Sequence, residues 1–99
     1  MTARSKKITD SAKGQSCTVR LPGICNGNNE TVVFAHIGHR RGMGIKCADY
    51  FGVYACESCH SEIDRRTRHM SVEDLQPELL RALEETQERL FEAELLMVK

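Results

Sequence analysis

The sequence predicts a small α+β fold in which two short strands and two helices are gathered around a cluster of cysteines. Three observations predict it. Cys56-Glu57-Ser58-Cys59-His60 sets two thiols three residues apart at the head of a helix-compatible stretch, and Cys17 and Cys25 lie upstream to match them. Residues 31–37 and 51–55, between the two cysteine pairs, are β-branched, aromatic and apolar enough to be strands. Leu79, Leu80, Leu83, Leu90, Phe91 and Leu95 then recur near the 3.6-residue period of an amphipathic helix.

Each element can be justified in chain order. Residues 1–15 are polar and basic with no apolar periodicity, and read as a flexible arm. Pro22-Gly23 is a turn signal that can bring the Cys17 and Cys25 sulfurs together, and Asn26-Gly27-Asn28-Asn29 is a second turn. The first strand follows and carries His36. Residues 38–44, with three glycines and two arginines, read as a loop leading to the second strand. No Gly or Pro interrupts residues 57–68, so helix is expected there, with Ile63 facing inward. Ser71-Val72-Glu73-Asp74 has the form of a capping box, and Pro77 is expected in the first turn of the helix that follows, where its missing amide costs nothing. That helix is expected to pack on the core, pairing with a second copy or another protein being the sharper alternative. The expected division is an arm over 1–15, a metal-stapled domain over 16–70 and a helical segment over 71–99.

Composition narrows the class. A chain of 99 residues with three Phe, two Tyr and no Trp buries a modest core that a metal ion would help to hold. Five cysteines, an odd number, behind a polar basic N-terminus without an apolar leader favour thiolate ligands in a reducing, cytoplasmic setting over secreted disulfides. No run approaches the roughly 20 apolar residues of a membrane span. The zero net charge divides: residues 1–70 hold 11 Lys/Arg against 6 Asp/Glu, whereas residues 71–99 hold 3 against 8. The cysteine-bearing part is thus the basic one, as a phosphate-binding module would be.

Four soft thiolates suit one tetrahedral Zn²⁺ in a closed structural site, and Cys17, Cys25, Cys56 and Cys59 are its expected ligands. The seven-residue gap in the first pair leaves Cys47 as a substitute. His60 and Asp64, at i and i+4, would share a helix face beside that ion, and Arg40, Arg41 and Lys46 are basic side chains of the intervening loop. His69, among Arg65, Arg66 and Arg68, reads as a surface residue.

The order of strand-borne histidine, glycine-rich loop, short strand and Cys-x-x-Cys-His helix resembles the HNH nuclease superfamily, whose ββα-metal core clasps one divalent ion. Ala35-His36-Ile37 with Gly42-Met43-Gly44-Ile45-Lys46, Asp49 and Cys56-Glu57-Ser58-Cys59-His60 resembles, more closely, the small lambdoid-prophage nucleases of the YbcO type. That resemblance covers roughly residues 17–69. It implies a zinc-stapled ββα-metal domain with a C-terminal amphipathic helix, acting as an endonuclease on nucleic acid, DNA foremost. It puts His36 in the general-base position and His60 and Asp64 on a catalytic Mg²⁺ or Mn²⁺. Asp49 stands near the motif's asparagine, to orient His36 or reach the metal, and His39 would contact substrate with Arg40, Arg41 and Lys46. Many members carry Asp or His where this chain has Ala35, which cannot coordinate. Two other readings share the cysteines: a non-catalytic zinc-finger-like DNA-binding module, and a phage recombination or replication adaptor docking through its acidic C-terminal helix.

Overall fold

The computed structural model describes residues 6–37 and 51–95. Strands β1 (Val33–His36) and β2 (Gly52–Ala55) pair antiparallel, with Val33 opposite Ala55 and His36 opposite Gly52. Both are shorter than their apolar runs. Asn29–Thr31 forms a 3₁₀ turn, capped by the Asn28 side chain, that takes up the start of the first run. β2 is buried along its whole length, which marks it as the middle of the core.

Helix α1 (Lys6–Asp10) occupies part of the segment expected to be a flexible arm. Ile8 and Ala12, four residues apart, are buried in the core, and the Ser11 hydroxyl lies 2.8 Å from the Tyr54 hydroxyl of β2. Two small apolar contacts in a polar stretch give no periodicity to read, yet they suffice to dock it.

Helix α2 (Glu57–Ile63) starts at an N-cap supplied by Cys56 and ends five residues earlier than expected. The chain leaves it through a Schellman turn: the Arg65 N–H donates to the Glu62 carbonyl at 3.1 Å and the Arg66 N–H to the Ser61 carbonyl at 2.9 Å, with Arg65 at φ +61°. Glycine normally signals this turn. Here an arginine holds the left-handed position, so the sequence carried no stop mark.

Helix α3 (Val72–Glu92) begins at Ser71, whose hydroxyl accepts from the Asp74 N–H at 3.2 Å. It starts where the capping box places it, and Pro77, expected in the first turn, falls beyond that turn and inside the helix. A second Schellman turn ends it, with the Leu95 N–H on the Leu90 carbonyl and Glu94 at φ +61°. Its buried side is Leu75, Ala82, Leu83, Thr86 and Leu90, packed on β2; Leu80 and Phe91, counted in the apolar stripe, are 67% and 54% exposed. Ala82 and Thr86 take core positions that a hydrophobicity pattern passes over. α3 is thus part of the core and not an appendage. Among the described residues no helix is long and apolar enough to cross a membrane.

The architecture is a two-stranded sheet with α2 following it in the order β1, β2, α2, and with α1 and α3 completing the core. This is a small α+β fold with a ββα unit at its centre, as the sequence predicts.

Candidate functional site

Cys17 and Cys25 border a turn whose geometry is set by hydrogen bonds to sulfur. The Arg20 N–H donates to Cys17 Sγ at 3.4 Å, and Arg20 adopts φ +44° to do so. Gly23, at φ +72°, turns the chain again so that Cys25 returns toward Cys17. On the other side, the Cys59 N–H donates to Cys56 Sγ at 3.5 Å as α2 begins, and the Cys56 N–H reaches Cys17 Sγ at 3.4 Å. The four sulfurs all lie within 4.8 Å of one another. Cys25 and Cys56 are 3.7 Å apart, close to the ~3.8 Å edge of a tetrahedron with metal–sulfur bonds of about 2.3 Å.

Electrostatics agree with that geometry. The Cys59 thiol, hydrogen-bonded to Cys17, holds Cys17 well below the ordinary thiol range, and the same bond pushes Cys59 up. Burial raises Cys25. A thiolate sharing a proton with its neighbour, and ringed by backbone N–H groups, is the donor set a soft cation would take over. The residues present fit a four-thiolate structural ion, and each of the four cysteines is free of a disulfide.

α3 braces this turn. Arg81 donates to the Thr18 carbonyl at 3.0 Å and the Val19 carbonyl at 2.6 Å, and Arg89 donates to Ser16 Oγ at 2.9 Å. Glu85 lies between them and accepts two bonds from Arg20, at 3.0 and 2.8 Å. The Arg20 guanidinium holds the Glu85 carboxyl below its usual range.

The candidate catalytic residues sit on the ββα unit. His60 and Asp64 meet as their spacing predicts, His60 Nε2 lying 3.2 Å from Asp64 Oδ2, with Arg66 3.6 Å from the same oxygen. His36 ends β1 and is half-buried, its ring edge-on to Phe34 at 5.3 Å, and α2 packs against both strands. Ala35 is buried opposite Val53 and offers no donor atom from its side chain. Among the described residues, no group of three or more His, Cys, Asp or Glu donors comes together besides the four cysteines. Asp49, His39, Arg40, Arg41, Lys46 and Cys47 lie outside the described residues.

Two contributors escaped the sequence reading. Gly52, opposite His36, has no room for a side chain: a Cβ there would run into the Phe34 ring and stand 2.8 Å from the Ala35 carbonyl oxygen. Glycine at that position lets the Phe34 ring cross the sheet beside His36. Glu62 is fully buried and organises the chain after α2. A glycine in an apolar run was the available signal for the first; nothing in the sequence distinguishes Glu62 from a solvated helix acid.

Comparison with known proteins adds three findings. The family described as "Putative nuclease YbcO" matches residues 6–94. The chain is 50% identical over 62 residues to "Putative nuclease YbcO" of Escherichia coli (strain K12) and, to the same degree, to "Putative nuclease ybcO" of Enterobacteria phage 82. Each match covers 61% of this chain, which spans 65% of the length of those relatives. A solved chain described as "Structure of a putative bacteriophage protein from Escherichia coli str. K-12 substr. MG1655" superposes with a TM-score of 0.74 at 36% identity, over 87% of this chain and 98% of the other.

Proposed function

The chain belongs to the "Putative nuclease YbcO" family, and from that premise we propose that it is an HNH-type, metal-dependent endonuclease that hydrolyses phosphodiester bonds in DNA. The observation that carries the proposal is the His60–Asp64 pair, 3.2 Å apart, on a helix whose first turn holds two of the four clustered thiols and which packs on the strand bearing His36. Metal-assisted phosphodiester hydrolysis needs a divalent ion at the scissile phosphate, and a histidine beside a carboxylate is a donor pair that could hold one.

In this reading, Zn²⁺ at Cys17, Cys25, Cys56 and Cys59 fixes the start of α2 and so the direction of His60. His60 and Asp64 would hold a Mg²⁺ or Mn²⁺, for which their imidazole and carboxylate are suitable donors. When bound, such an ion neutralises the scissile phosphate and stabilises the departing 3′ oxygen. His36 takes the proton of the attacking water as its oxygen bonds to phosphorus and the bond to the 3′ oxygen breaks. Asp49 orients His36 or completes the metal shell. His39, Arg40, Arg41 and Lys46 hold the flanking phosphates. The protein works in the cytoplasm.

Plasmid relaxation across a Mg²⁺ or Mn²⁺ titration tests this. His36→Ala should lose cleavage at saturating metal while still binding DNA; His60→Ala and Asp64→Ala should shift the response to higher metal concentration. Absence of cleavage by zinc-loaded protein with any divalent ion, on duplex, single-stranded or branched DNA or on RNA, would refute it. Ala35 in the usual ligand position, and a second site with two paired donors among the described residues, favour in that event the non-catalytic zinc-stapled DNA-binding module.

A further inference from the structure

The segment after α2 reads Asp64-Arg65-Arg66-Thr67-Arg68-His69-Met70, with three arginines in four residues. Like charges at that density repel, and an exposed loop carrying them would ordinarily spread into many conformations. This one is fixed from beneath. The Glu62 side chain, with no exposed surface, accepts from the Thr67 hydroxyl at 2.7 Å, the Met70 N–H at 2.8 Å, the His69 N–H at 3.2 Å and the Arg65 guanidinium at 3.4 Å. All four donors come from the segment that follows α2. With the Schellman turn, they specify the backbone from Asp64 to Met70.

The arrangement consumes one arginine and presents the other two. Arg65 turns inward to Glu62, whereas Arg66, at 61% side-chain exposure, and Arg68 project into solvent. Arg66 reaches the Asp64 carboxylate at 3.6 Å, so the exposed guanidinium groups begin where the His60–Asp64 pair ends. A buried carboxylate is a costly way to order a surface loop unless its outward groups must be held in place. Planar guanidinium groups suit phosphate oxygens, which they bind bidentately.

We infer that the loop over residues 65–69 is a phosphate-backbone contact for the nucleic-acid substrate, made by Arg66 and Arg68 and preorganised by Glu62. The inference rests on the nuclease reading and adds two contact residues to Arg40, Arg41 and Lys46.

Fluorescence anisotropy on a labelled DNA duplex, run over a salt series with zinc-loaded protein, tests it. Arg66→Ala/Arg68→Ala should weaken binding at least tenfold at low salt and lower the slope of log K against log salt by about 1.8, two phosphate contacts at roughly 0.9 each. Arg66→Lys/Arg68→Lys should keep most of that slope, since Lys still meets phosphate as a point charge. Lys6→Ala/Lys7→Ala, an equal loss of exposed charge on α1, is the control and should change both quantities less. Circular dichroism and zinc content check that each variant is folded. If the parent binds DNA and Arg66→Ala/Arg68→Ala binds equally well, or if Lys6→Ala/Lys7→Ala loses as much, this inference alone fails. If the parent binds no nucleic acid at low salt, it fails together with the nuclease reading.

Discussion

Replacing the Thr86 hydroxyl by a methyl group, in Thr86→Val, probes how far the last helix is built into the cysteine-bearing part of the chain. Thr86 Oγ1 lies 2.8 Å from Thr18 Oγ1, both side chains being fully buried. Thr18 in turn donates to the Tyr54 carbonyl at 3.1 Å and accepts from the Tyr54 N–H at 3.2 Å. One hydroxyl pair therefore ties α3, the central strand and the residue next to Cys17. Thr86 Oγ1 also accepts the Tyr54 N–H, at 3.4 Å, a donor it shares with Thr18. Valine fills the same volume and Thr18 keeps both bonds to Tyr54, so Thr86→Val loses the hydroxyl pair and the longer branch of the shared bond without orphaning a group. That is worth about 1 kcal/mol, or roughly 4–8 °C in melting temperature for a domain of this size. Thr18→Val removes the central member and leaves the buried Thr86 hydroxyl with the long bond from the Tyr54 N–H, which costs about 2 kcal/mol. The double variant counts the hydroxyl pair once and takes both acceptors from the Tyr54 N–H together, so its cost should depart from the sum of the singles. Urea unfolding followed by circular dichroism, at fixed free zinc so that ligand binding does not shift the baseline, measures all four proteins. A Thr86→Val protein within about 0.3 kcal/mol of the parent, or strictly additive singles, would refute the network and with it the integral role of α3.

Two other outcomes follow from the site. Purified protein should carry about one zinc per chain; Cys56→Ser and Cys59→Ser should lose it and melt lower, while Cys47→Ser should retain it, as elemental analysis and thermal melts will report, and full zinc with parental melting in Cys56→Ser would remove the assignment. Gly52→Ala should lower stability by about 1–3 kcal/mol through its clash with Phe34 and the Ala35 carbonyl, and should reduce plasmid cleavage more than DNA binding because the displaced strand bears His36; a melt equal to the parent's would contradict that close approach.

Much of this molecule was legible in the order of its residues. Sulfur ligands betray themselves because few other residue types do their work, and Cys56-x-x-Cys59 also marks the start of α2. Pro22-Gly23 gave the turn between Cys17 and Cys25, and Ser71 gave the start of α3. What stayed hidden is where a residue acts against its type. Arg20, Arg65 and Glu94 adopt the left-handed backbone that glycine usually signals, so one sharp turn and two helix ends passed unmarked. Glu62 and Thr86 are polar residues sealed in the interior, each affordable only because distant partners meet it there, and sequence spacing does not encode such meetings. Leu80 and Phe91 err the other way, apolar residues on the outer side of α3. Of the proposed nuclease site, the His60–Asp64 pair came from helical spacing alone, whereas Gly52 needed the strand register.

The position of the four thiols along the chain has a consequence for how the protein comes apart. Cys25 and Cys56 are separated by 31 residues, and both strands lie in the span between them. An ion held by all four sulfurs is therefore a crosslink on a polymer. Closing a loop of that length removes conformational freedom from the unfolded chain worth about 4 kcal/mol, by the same entropy argument that applies to a disulfide. The benefit is unevenly distributed. α2, at seven residues, is far below the length at which a helix persists alone in water, whereas α3 has 21. Chelation should thus release the strand pair and α2 first, and the last helical signal to survive should come from the C-terminal third of the chain.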